Sequence, residues 1–444
     1  MNEGSPLDIV LRRGRIHGSD HQRPMDIGIR ADRIVEVAPS ISADAREIDL
    51  GGRLVCAGFI ETHIHLDKAC ILGRCGHSES LAHAIAKVSA LKRDFTQDDV
   101  YARGRRVLEK ALIQGTTRMR THVEVDPRVG LRAFDAISRL RKDYAWAIDL
   151  EICVFPQEGL LNDPGTDDLL VEALEGGADV IGGCPYTDTD PNGQIARIFE
   201  LAERYDVDID FHLDFDLDPS SMDLYEVCRQ TEKHRRGGRV AIGHVSKLSA
   251  APPPVLQQAT EMLRSCGVAV TVLPATDLFL MGHGKTHSVP RGVAPAHRLL
   301  QQGVTCSIST NNVMNPFTPF GDCSLLRMAN LYANIQQVGQ EKEMALCFEM
   351  VTSQSARLMN LKDYGIRVGA AADLVVLDAE TPEAAVAELA QPLLGLKAGR
   401  ETFKRPPPIV LHPVSGERTV IRDGQDFPAH RQDDRSVKDQ ISLV

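Results

Sequence analysis

Eight short apolar runs punctuate the middle of the chain, at 59–66, 117–125, 148–155, 179–184, 207–213, 240–244, 268–273 and 304–308. Most are followed by a stretch whose apolar spacing suits a helix, as at 80–92, 97–114, 193–205, 222–234, 254–266 and 323–338. Successive parallel strands need a crossover, and a helix is the usual one. Strand and helix alternation sustained this far predicts a parallel α/β fold. Eight such units over roughly 300 residues fit a (β/α)8 barrel with some long loops. No low-complexity segment interrupts the pattern, and no shorter sequence repeat of the solenoid kind is present.

The two ends read differently. Runs at 8–11, 26–29 and 33–37 are rich in β-branched residues and separated by Gly, Asp and Pro signals. The run 52–60 leads straight into the first barrel segment. Beyond the barrel, 372–378 has a strand pattern behind a glycine turn, and 409–411 reads as an edge strand after Pro406, Pro407 and Pro408. From about residue 403 the chain is Pro-rich, then polar and charged, as expected of an extended tail with some packed segments.

Charge narrows the function classes. Fifty basic against 61 acidic residues give a formal net charge of -11 over 444 residues. That balance disfavours a nucleic-acid or anionic-membrane partner. No apolar run approaches bilayer-spanning length. The start, MNEGSPLDIV, lacks the basic and apolar regions of a signal peptide. The ten cysteines are scattered without a CxxC pair, as expected of thiols in a reducing cytoplasm. The expectation is a cytoplasmic globular enzyme, with homo-oligomer formation left open.

In a barrel of this kind, chemistry gathers at the C-terminal ends of the strands. The polar residues that close the apolar runs are therefore the candidates. The first run closes on Glu61-Thr62-His63-Ile64-His65-Leu66-Asp67-Lys68, the second on Arg120-Thr121-His122-Val123-Glu124, and the third on Phe155-Pro156-Gln157-Glu158-Gly159. The fifth closes on His212-Leu213-Asp214, the sixth on Gly243-His244-Val245-Ser246 and the eighth on Ser309-Thr310-Asn311-Asn312. His63 and His65 are two apart, so on a strand both imidazoles share one face. His212 and His244 are offered from other strand ends. Neutral imidazoles brought together in this way suit zinc, iron and similar divalent ions.

The segment Gly58-Phe59-Ile60-Glu61-Thr62-His63-Ile64-His65-Leu66-Asp67 resembles the first-strand motif of the amidohydrolase superfamily. Arg120-Thr121-His122-Val123, Phe155-Pro156-Gln157-Glu158-Gly159, Asp210-Phe211-His212, Gly243-His244, 353–360 and Tyr364-Gly365-Ile366 resemble its cytosine deaminase branch, over almost the whole chain to about Leu377. The resemblance implies a (β/α)8 TIM barrel at 57–361, flanked by a small β-domain built from both chain ends, 1–56 and 362–444, the latter including the tail. It implies one divalent metal ion (zinc, iron or manganese) held by His63, His65, His212 and the residue at the Asn311 position. It also implies that His244 contacts the hydrolytic water or the substrate, and that Gln157 hydrogen-bonds the substrate ring. The metal-bound hydroxide would attack an sp2 ring carbon.

Two positions depart from the resembled pattern. The deaminases carry H-x-x-E after the fifth strand, and that Glu moves a proton to the departing nitrogen; Phe215 stands there in this chain. They carry Asp at the end of the eighth strand as ligand and general base; Asn311 stands there. A carboxamide coordinates weakly and is no base at neutral pH, and phenyl moves no proton. Ordinary cytosine deamination is therefore not expected.

Three readings follow. The first is a metal-dependent hydrolase of a small cyclic ureide, thioureide or amidine, breaking a C–N or C–S bond, with sulfide as one leaving group that needs little protonation. Asp214 or His244 would then handle the remaining proton. The second is an amine-releasing deaminase acting on a pyrimidine- or triazine-like ring, with Asp214 in place of the missing Glu. The third is a metal-free, binding-only descendant. Asn312 and Phe317 are further candidates for ring recognition, and Lys68 for a substrate anion. Arg74, His77, Lys285, His287 and Arg291 are loop residues that could meet a carboxylate. Cys70 and Cys75 read as ordinary thiols, and His122 and Glu124 as residues supporting the site from behind.

Overall fold

The β-branched runs at the N-terminal end are strands: β1 (Ile9–Ile16), β2 (Met25–Arg30), β3 (Arg33–Ala38), β4 (Arg46–Asp49) and β5 (Leu54–Ala57). The eight barrel strands follow as β6 (Phe59–Ile64), β7 (Thr116–Glu124), β8 (Asp149–Phe155), β9 (Val180–Gly183), β10 (Asp208–Leu213), β11 (Val240–His244), β12 (Val268–Val272) and β13 (Cys306–Ile308). After them come β14 (Leu374–Leu377), β15 (Pro392–Lys397), β16 (Arg400–Lys404), β17 (Ile409–Leu411) and β18 (Arg418–Val420). The computed structural model describes residues 6–19, 23–406, 408–411 and 418–420.

Strands β6 to β13 pair in chain order, each parallel to the next. The sheet curls so that the chain beyond β13 meets β6. Asn311 N–H donates to His63 O at 2.9 Å, and His65 N–H donates to Asn311 O at 2.9 Å. Below that seam, Thr62 Oγ1 lies 2.8 Å from Ser307 Oγ and 2.6 Å from Ser309 Oγ, a buried hydroxyl ladder that satisfies polar groups inside the barrel. The architecture is the (β/α)8 barrel the alternation predicts.

The helices start where their caps say. Ser80 accepts from His83 N–H ahead of Leu81–Leu91, Thr96 from Asp99 N–H ahead of Gln97–Ile113, and Asp190 from Gly193 N–H ahead of Pro191–Tyr205. Arg132–Tyr144 and Thr166–Glu175 are helices that the apolar spacing had not singled out. Each buries an apolar stripe against the barrel, including Phe134, Ile137 and Leu140 in the first.

Both chain ends contribute to a second sheet, in the order β16-β15-β14-β5-β1-β2-β3, with β4 on β1. It has its own core, including Leu11, Ile27, Ile29, Val55, Leu374 and Leu396. Buried Lys397 ties it to the barrel, donating to Asp373 at 2.6 Å and to Asp149 of β8 at 2.7 Å. Gly58 joins β5 to β6, where a Cβ would lie 2.1 Å from Thr117 Oγ1, so only glycine fits the junction. The described residues up to Phe403 form one compact unit, and those from Lys404 onward belong to another. Within the second, β17 and β18 form an antiparallel ribbon. The remainder of the expected tail, 421–444, lies outside the described residues. Among the described residues no helix is long and apolar enough to cross a membrane.

Candidate metal centre and substrate pocket

β6 and β10 bring three imidazoles to one point. His63 Nε2 and His65 Nε2 each lie 3.1 Å from His212 Nε2, and all three rings are buried. A single Nε2–H on His212 could satisfy only one of these contacts. Burial, first of all, holds the three groups well below the ordinary histidine range, so each is a neutral ring with a lone pair to offer. His65 Nδ1 lies 3.2 Å from His122 O, a contact that fixes the proton on Nδ1 and frees Nε2. Asn311 Oδ1 and Nδ2 are buried and have no hydrogen-bond partner among the described residues. Converging neutral imidazoles beside an unsatisfied carboxamide form a donor set that fits one divalent cation.

The surroundings of His63 are equally specific. His122 stacks on it at 3.7 Å between centroids, 25° from parallel. Asp210 Oδ1 stands 3.8 Å from His63 Nδ1, and Arg120 holds the other Asp210 oxygen at 2.9 Å. Gly243 of β11 leaves room for the ring, since a Cβ there would lie 3.0 Å from His63 Cε1.

Above the imidazoles is a small pocket. His65, His212, His244, Gln157, Asn311, Asn312, Lys68, Phe215 and Phe317 line it, so the candidate residues are gathered into one cavity. Lys68 Nζ donates to Glu124 Oε1 at 2.5 Å and to Gln157 Oε1 at 3.1 Å, and sits 4.8 Å from the Phe317 ring centroid. Asn312 Oδ1 accepts from Asn315 Nδ2 at 2.6 Å. Glu124 also accepts from buried Lys92 at 2.7 Å, and Lys92 further meets Asp126 and Glu158.

Asp214 is placed elsewhere. Its φ of 51° turns the chain at the end of β10, so the alternation that would keep it on the His212 face stops there. Its oxygens accept the N–H groups of Asp223 at 2.9 Å and Leu224 at 3.1 Å, capping the helix Leu224–Lys233. It does not line the pocket. A different carboxylate stands behind the pocket: Asp277 Oδ1 lies 2.6 Å from His244 Nδ1, and both groups are buried. Burial raises the Asp277 carboxyl, and His244 opposes that rise. Phe215 stacks on a face of the His244 ring. No sequence motif marks Asp277, Tyr186 or Thr276. The available signal was Leu273-Pro274-Ala275-Thr276-Asp277, a proline-started helix directly after β12.

The loop residues stay outside. Arg74 pairs with Asp99 at 2.9 Å, Arg291 donates to Ile335 O, and neither these nor His77, Lys285 and His287 line the pocket. Cys70 and Cys75 are half-buried free thiols.

The amidohydrolase family model matches residues 113–420. The chain belongs to the amidohydrolase family. Over 415 residues it is 28% identical to the N-isopropylammelide isopropyl amidohydrolase of Pseudomonas sp. (strain ADP), covering 90% of this chain and 98% of that protein. It is 26% identical to the pterin deaminase of Rhizobium rhizogenes, covering 80% and 82% of the two chains. The structure of 5-methylcytosine deaminase from Klebsiella pneumoniae with 5-fluorocytosine superposes with a TM-score of 0.87 at 27% identity, over 91% of this chain and all of that one. This amidohydrolase is thus a hydrolase whose relatives are named for small nitrogen heterocycles.

Proposed function

We propose that the chain hydrolyses a small planar nitrogen heterocycle, a cyclic ureide, thioureide or amidine, at an sp2 ring carbon. The observation that carries this reading is the His244–Asp277 pair at 2.6 Å, set in a pocket where Phe215 offers no proton. His63, His65 and His212 would hold one divalent ion (zinc, iron or manganese), with the Asn311 carboxamide beside them. Such an ion supplies Lewis acidity and makes water a nucleophile near neutral pH.

The chain's own groups do the rest. Gln157 and Asn312 orient the ring through their amides, and Phe317 closes the apolar side of the pocket. His244 takes a proton at Nε2 while Asp277 fixes Nδ1–H and steadies the imidazolium, then returns the proton to the departing group. Sulfide leaves as an anion and asks little of His244. An amine asks for the full proton.

Release of an exocyclic amine from a pyrimidine- or triazine-like ring is the second reading, supported by the names of the relatives. The test is metal-replete protein incubated with ureides, thioureides, aminopyrimidines and aminotriazines, assayed for sulfide, ammonia and amine. Sulfide or ring-opened product supports the first reading and amine alone the second. No product from any member overturns both.

A further inference from the structure

The pocket is charged in one sense only. Among the described residues Lys68 is the sole Lys or Arg that lines it, and no Asp or Glu does. Glu124 lies behind the wall and is shared: Lys68 Nζ reaches one oxygen at 2.5 Å and Lys92 Nζ the other at 2.7 Å. An ammonium has three donors. Glu124 and Gln157 take two from Lys68, and no further oxygen acceptor for it is present among the described residues. Asn311 adds a buried amide whose Oδ1 and Nδ2 both lack a partner among the described residues, so that Nδ2 is a second donor while Oδ1 can turn to the cation site. A neutral carbonyl can accept from these donors, but an anionic oxygen accepts through a stronger, charge-assisted hydrogen bond. This polarity opposes that of the whole molecule, whose net charge is -11, so any anion preference arises from local contacts rather than from the long-range field.

We infer that the pocket selects a nitrogen heterocycle carrying a negative charge, on the ring or on a short carboxylate substituent, with Lys68 and Asn311 as the specificity-determining groups. The inference deepens the hydrolase reading above and rests on it for the ring itself. Charge selection is read by binding, so it can stand or fall separately from turnover.

The experiment is calorimetric titration of the metal-replete full chain with three probes: dihydrouracil, which is neutral; barbiturate, a ring anion; and dihydroorotate, which carries a carboxylate. At least one anion is expected to bind about tenfold or more tighter than dihydrouracil, the scale of one charge-assisted contact. Barbiturate alone would place the charge on the ring, and dihydroorotate alone on the substituent. Lys68→Met and Asn311→Asp are each expected to shrink the anion-to-neutral ratio, with metal content and circular dichroism checked beside it. Asn311→Asp is the informative variant, because it adds a metal-ligating carboxylate while adding the wrong charge for an anion. Equal binding of all three probes overturns the inference, as does a preference unchanged in Asn311→Asp. Anion selectivity in a protein that turns over no member of the substrate panel would keep this inference and remove the proposed reaction.

Discussion

Phe215 lies face to face with His244, their ring centroids 3.7 Å apart and their planes 23° from parallel. Asp277 meets the same imidazole at its Nδ1 edge. One face and one edge of the ring are therefore held, which sets the direction in which Nε2 points.

That arrangement predicts how the pair fails. Asp277→Asn is expected to lower kcat on the order of 10²-fold with a smaller change in KM, because the amide no longer fixes the proton on Nδ1 or steadies the imidazolium. His244→Asn should cost at least as much, and the double variant little more than His244→Asn alone. Steady-state kinetics on whichever panel member is turned over checks this. Independent, multiplicative losses would mean that Asp277 does not act through His244.

The phenyl ring itself is open to exchange. Phe215→Glu combined with Asn311→Asp is expected to raise ammonia release from an aminopyrimidine by about 10²-fold, the low end of general acid–base assistance. A coupled ammonia assay reads it. No gain, with metal content intact, would show that the missing carboxylates are not what limits amine release.

Metal removal should be visible in stability as well as in turnover. Dialysis against a chelator is expected to lower Tm, since an ion bound only by the folded protein stabilises it by mass action. Zinc, iron(II) and manganese(II) are added back separately, and recovery of Tm and activity identifies the ion. His212→Ala should weaken metal binding by ~100-fold or more and Asn311→Ala by about tenfold. Competition with a chromophoric chelator gives both numbers.

Asp214 should behave as a structural residue. Asp214→Asn keeps an acceptor for the helix beginning at Leu224 and is expected to leave kcat within about twofold, whereas Asp214→Ala should cost about 1 kcal/mol of stability through loss of the cap. Denaturant unfolding beside kinetics separates the two. A large kcat loss in Asp214→Asn with unchanged stability would return it to the proton path.

The cluster behind Lys68 predicts a pH dependence. Burial, with Glu124 next, pushes the Glu158 carboxyl from its ordinary 4.5 up to about 7. The folded protein thus holds a proton that the unfolded chain releases near pH 4.5. The stability this contributes is complete below that pH and is lost as pH rises through about 7. Glu158→Gln, neutral at every pH, should flatten the slope of stability between these limits. Asp67 and Glu61 are also raised, to about 6 and about 7, so part of the slope will remain. Unfolding midpoints at several pH values measure it.

Much of this molecule is legible from residue order. The barrel shows because parallel strands buried on both faces read as unbroken apolar runs, as in β11 and β12. The histidine cluster shows because His63 and His65 advertise a shared face by spacing alone. Asp277 is hidden because its contact is with one side chain 33 residues away, and no local pattern marks such a contact. Asp214 is the opposite case. It sits two residues from His212, where strand geometry would align them, but a left-handed turn ends the strand first. Phe215 and Asn311 were readable as departures, yet only the folded arrangement shows Phe215 packed on His244.

The seam of the barrel has a consequence for descent. The main chain of Asn311 bonds to both His63 and His65, and its φ of 64° lies where asparagine, aspartate and glycine are at ease. Asparagine and aspartate can replace one another there without disturbing the closure, while bulkier or β-branched residues would strain it. A lineage can therefore change the charge at the heart of the site in a single mutational step and inherit the scaffold intact.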